Sequence, residues 1–137
     1  MKASDYEIVI EQIIDFDMDV SSLADCRRAM AELNEREAVL TQIKDGVKRD
    51  IRNVESDYLK RRTLIRNKYA KGSGMLNSFK GPFAQTRVKE MKKLEEERKK
   101  SIEKYYDIKY MVDDLLVQIE EIQDNVKRMM KEMLGNY

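Results

Sequence analysis

The chain has 137 residues, 27 lysines and arginines against 26 acids, no histidine, no tryptophan and one proline. A charged fraction of 39% with one proline points to long helices rather than a mixed globule. Without histidine there is no imidazole base, no Ser-His or Cys-His pair and no Glu-x-x-His metal site. The single cysteine, Cys26, excludes an intramolecular disulfide and fits a reducing compartment. No run approaches the ~18 apolar residues of a spanning helix, and Met1 to Asp5 carry no signal-peptide pattern. A soluble, cytoplasmic, all-α chain is expected, one helical domain over residues 1–137.

The first helix is expected over about 4–17. Ser4 and Glu7 have capping-box spacing, and Tyr6, Val9, Ile10, Ile13, Ile14 and Phe16 give a wide apolar face. Asp15, Asp17 and Asp19 crowd its end, where the helix dipole disfavours anions. Their spacing resembles the opening of an EF-hand loop, but loop position six would be Val20 and position twelve Cys26. No metal site is therefore assigned, and no cofactor.

The second helix is expected over about 22–70, capped by Ser21 or Ser22. Leu23, Cys26, Met30, Leu33, Leu40, Ile43, Val47, Ile51, Val54, Tyr58 and Ile65 recur mostly in steps of three and four, as a helix seam requires. Gly46 reads as a tolerated interruption and Gly72 as a left-handed cap. Residues 72–81 form the expected loop. Gly72-Ser73-Gly74 follows a helix and precedes no Lys-Ser/Thr pair, so it is a turn and not a P-loop.

Pro82 opens the third helix, expected over about 82–134. Met91, Tyr105, Val112, Ile119, Val126 and Met133 share one seven-residue register, broken by Arg98. Ile108, Leu115, Ile122 and Met129, with Ile102, Leu116 and Met130 beside them, widen the stripe beyond a two-helix seam. Folded about residue 76, the two long helices become an antiparallel, coiled-coil-like hairpin whose paired numbers sum to about 153. Ile51 then faces Ile102, Leu40 faces Val112 and Leu33 faces Ile119. The short first helix completes the open end, and surplus apolar surface there favours a homodimer through Ile10, Ile13, Ile14, Met129, Met130 and Met133. The same periodicity suits a domain-swapped arrangement, which the glycine-rich loop and Pro82 disfavour.

Net charge hides a strong polarity. Leu59 to Lys93 holds eleven basic residues and one acid, Glu90, a net charge of +10; the remainder carries −9. Arg66, Lys68 and Lys71 complement a helix C-terminus, but Arg87 and Lys89 oppose the dipole at a helix start. Like charges four apart, such as Arg62 with Arg66 and Lys89 with Lys93, cost a few tenths of a kcal/mol each.

This pattern works against local helix stability and suits a polyanion, nucleic acid above all. Arg61, Arg62, Arg66, Lys71, Lys80, Arg87, Lys89 and Lys92 are the expected phosphate contacts. Tyr69, Phe79 and Phe83 are the expected base-stacking groups. An acidic protein surface is the competing partner. A membrane surface is disfavoured, since Met75, Leu76, Phe79 and Phe83 suffice to close the hairpin end. The alternative function is a protein-interaction scaffold, adaptor or secretion-type chaperone acting through the stalk or a Met-rich base. No catalytic residue is assigned.

Overall fold

The computed structural model describes residues 2–73 and 80–135, with side chains over 2–70 and 85–135. It is all-α: α1 spans Ala3–Ile13, α2 Leu23–Ser73 and α3 Lys80–Gly135. The two long helices pack closely as an antiparallel hairpin, with short α1 beside them. By packing the chain divides into two compact units, Met1–Lys48 with Tyr106–Tyr137, and Arg49–Tyr105. Among the described residues no helix is long and apolar enough to cross a membrane.

In the first unit α1 starts at Ala3, one residue earlier than expected, and its cap lies two residues before Ser4. Lys2 is the N-cap: its N–H donates to the Asp5 carboxylate at 2.8 Å, and the Asp5 N–H returns to the Lys2 carbonyl at 3.0 Å. Asp5 thus takes the role expected of Glu7.

The helix also ends early, at Ile13 rather than near Asp17. The Asp15 carboxylate accepts the Asp17 N–H and the Asp19 carboxylate accepts the Ser21 N–H, both at 3.0 Å. Such local bonds offer the backbone an alternative to another helical turn. Arg36 donates to the Asp15 carbonyl and lies over the Phe16 ring at 5.8 Å, tying the connection to α2. Ser22 caps α2, its hydroxyl accepting the Asp25 N–H at 3.1 Å.

The core of this unit holds Tyr6 and Ile10 from α1, Cys26, Ala29, Leu33, Leu40, Ile43 and Val47 from α2, and Ile108, Val112, Leu115, Ile119 and Val126 from α3. Among the described residues one buried position is polar: Gln123 donates its amide to Asn34 at 3.0 Å and Glu37 at 2.8 Å. Lys44 pairs with Asp113 at 2.6 Å. Of these three cross-helix pairs, 34 with 123 and 44 with 113 sum to 157 and 37 with 123 to 160, one to two helical turns from the expected register.

Gly46 faces Tyr6, whose hydroxyl lies 2.8 Å from where a Cβ would sit. The glycine is thus a contact point for α1 rather than an indifferent gap in the seam. Ile10, expected at a dimer interface, is 1% exposed and belongs to this core. Ile13, Met130 and Met133 are half-buried, while Ile14 and Met129 are exposed.

The second unit contains the remaining lengths of α2 and α3. Helix α2 runs through Gly72 to Ser73, and no described glycine has positive φ, so the left-handed cap expected at Gly72 is not formed. Helix α3 begins at Lys80, two residues before the expected start, and keeps Pro82 in its first turn.

Candidate nucleic-acid interface

The basic segment belongs to the second unit, where Leu94 and Tyr69 are buried and Val54, Tyr58 and Ile65 are half-buried. The apolar seam is thin here, and polar groups share the work of joining the helices. Arg98 donates Nε and one terminal nitrogen to the two oxygens of Glu55, each at 2.9 Å. Its other terminal nitrogen reaches Glu95 at 2.8 Å, and its guanidinium lies 4.9 Å from the centre of the Tyr58 ring.

The Tyr58 hydroxyl donates to Glu95 at 2.6 Å. A planar guanidinium is suited to such a fork, which fixes geometry as well as charge. The residue that breaks the apolar register of α3 is therefore the residue that locks it to α2. Glu55/Arg98 and Tyr58/Glu95 both sum to 153, the expected antiparallel register.

These bonds set the local electrostatics. The Tyr58 hydroxyl, and then Arg98, hold the Glu95 carboxyl below its usual range against the opposing effect of partial burial. Donation to Glu95 pushes the Tyr58 phenol up. The Glu55 bonds, followed by the charges of Glu55 and Glu95, raise Arg98 further above its already high value.

The candidate contacts fall into separate groups. Arg66, Arg87, Lys89 and Lys92 are exposed and make no ion pair with a described residue. Lys60 and Lys93, also basic in this segment, are equally free. Arg61 is half engaged, 3.1 Å from Glu97 and 4.0 Å from Asp57. Arg62 is half-buried, with its Nε enclosed and without a hydrogen-bond partner. Lys71, Lys80, Phe79 and Phe83 lie outside the residues whose side chains are described.

Tyr69 is placed differently from the expectation. It is only 9% exposed, with Lys68 Nζ 5.4 Å from its ring centre. Burial, and then Glu90, push its phenol up. Lys68 itself pairs with Glu90 at 3.3 Å. A ring in this position supports the helix pair and is not displayed for stacking. Its spacing of four from Ile65, which is itself seven from Tyr58, continues the α2 seam and was the available sequence signal.

Among the described residues no three acids or cysteines come together as a metal-holding group. The Cys26 thiol is fully buried and donates to the Val20 carbonyl at 3.6 Å, the setting of a small core residue. Comparison with protein-family models, curated proteins and solved structures finds no match for this chain.

Proposed function

We propose that this chain is a non-enzymatic, coiled-coil-like helical-hairpin binding module that docks onto nucleic acid through the phosphate backbone, acting in the cytoplasm. The observation that carries the reading is the set of exposed cations without acidic partners, Arg66, Arg87, Lys89 and Lys92, in one compact unit. Neutralised cations would be expected if charge served only to join helices, and Arg98, Arg61 and Lys68 show that arrangement. These four, like Lys60 and Lys93, are left for a partner.

Phosphate contacts of this kind position without reading sequence, so little base preference is expected. With Tyr69 buried, stacking contributes less than the composition of the segment suggests. Fluorescence anisotropy with short single-stranded and duplex oligonucleotides tests the reading. The variant Arg66→Glu, Arg87→Glu, Lys89→Glu, Lys92→Glu should lose binding while keeping its helicity. Unchanged affinity in that variant would refute the assignment and favour the scaffold alternative.

A further inference from the structure

Two outward helix faces of this chain are complementary in charge and each displays apolar residues. On α3 of the first unit, Tyr106, Tyr110 and Val117 fall within about 40° of one another at 3.6 residues per turn. The core residues Ile108, Leu115 and Ile119 lie opposite. Tyr110 is 61% exposed and Val117 54%; the two tyrosine rings stack at 6.1 Å. Asp107, Asp114, Glu120, Glu121 and Asp124 flank this stripe, all exposed and without a partner among the described residues. No basic residue occurs between Tyr110 and Val126.

The outward face of α2 in the second unit is its counterpart. Leu59 is 55% exposed and Leu64 67%, and with Ile51, Ser56 and Thr63 they line a shallow, mainly apolar groove. Arg49, Arg52 and Lys60 stand along it, exposed and unpaired among the described residues. The nearby acids are held elsewhere: Glu55 by Arg98, Asp57 beside Arg61.

We propose that the acidic, tyrosine-bearing face of α3 docks the basic, leucine-bearing face of α2 from a second copy of this chain. Leu59 and Leu64 cover the Tyr110 and Val117 surface, while Arg52 and Lys60 meet the flanking carboxylates. The Tyr106 ring, with Lys109 Nζ 5.8 Å from its centre, shows the cation–π contact that an incoming base makes on Tyr110. The surfaces differ, so the contact is heterologous: reciprocated it closes a dimer, otherwise it adds further copies. Each strip is only about 27 Å long for some 18 residues. That area is small for a stable complex, so association is weak, concentration-dependent and salt-sensitive.

Sedimentation equilibrium at about 100 µM, in low salt and in about 0.5 M salt, tests the contact. The wild type should exceed monomer mass in low salt and return to monomer in high salt. Asp114→Lys with Glu121→Lys, and separately Arg52→Glu with Lys60→Glu, should each be monomeric because both faces then carry one sign. An equimolar mixture of these two variants should associate, since each reversed face finds an opposite one on the other protein. Circular dichroism confirms that both are folded. A monomeric wild type in low salt, or a mixture that stays monomeric, overturns the proposal. The Asp114→Lys, Glu121→Lys variant leaves every cation of the basic segment in place, so its oligonucleotide binding reports on the nucleic-acid reading independently.

Discussion

The hydroxyl of Tyr6 occupies the space that a side chain on Gly46 would fill: a Cβ there would lie 2.8 Å from the oxygen and 3.4 Å from two ring carbons. Tyr6 is buried, so it has little room to withdraw. In a free helix, alanine for glycine stabilises by about 1 kcal/mol. In this protein Gly46→Ala should instead lower stability, whereas in a Tyr6→Phe background the same change should raise it by up to about 1 kcal/mol. Urea unfolding of the four proteins gives the coupling. Simple additivity would show that α1 does not rest on this glycine.

Arg98, Glu95 and Tyr58 give stability a pH dependence at both ends. Glu95 has a lowered folded pKa, so its contribution is present above the unfolded value, near 4.5, and is lost as pH falls through the folded value. Tyr58 has a raised one, so its contribution is present below pH 10.0 and is lost as pH rises through the folded value. Glu95→Gln should flatten the acid limb of a stability profile, and Tyr58→Phe the alkaline limb. Asp19, lowered by the Ser21 hydroxyl bond, and Tyr69, raised by burial, retain part of each slope. Denaturant midpoints across pH measure both limbs.

Gln123 is a buried polar residue whose partners, Asn34 and Glu37, are exposed. Replacing it with leucine leaves those partners free to rehydrate, so Gln123→Leu should change stability by less than about 1.5 kcal/mol in either direction. Leu33→Ala, at a fully buried position of the same unit, should cost about 2–5 kcal/mol. Chemical denaturation compares the two. A large loss for Gln123→Leu would mean that the amide bonds, rather than the apolar seam, hold this layer together.

The hairpin was legible because apolar residues recur mostly in steps of three and four from Cys26 to Val47, with one step of seven from Leu33 to Leu40, and from Ile108 to Val126. Polar seam positions were harder to interpret. Arg98 interrupts a pattern when α3 is read alone, and its fork to Glu55 depends on which α2 residue faces it. Gly46 likewise gains its meaning only from Tyr6, forty residues earlier in the chain.

The end of α1 was misplaced because apolar periodicity continues through Ile14 and Phe16, whereas the aspartates bond to nearby backbone N–H groups. Ile10 shows a further limit: periodicity marks an apolar face without showing whether it meets the same chain or another. For the candidate interface, the density of cations was readable. Which of them spend their charge on Glu55, Glu90, Glu95 or Glu97 required three-dimensional neighbours.

The most direct test of the central claim is the salt dependence of oligonucleotide affinity. Each phosphate neutralised contributes about −0.9 to the slope of log K against log salt on duplex DNA and about −0.7 on single strands. With Arg66, Arg87, Lys89 and Lys92 engaged, the duplex slope should be about −3 to −4, becoming shallower by roughly one for each cation changed to alanine. A flat slope, or a slope unmoved by those substitutions, would contradict backbone docking through this segment.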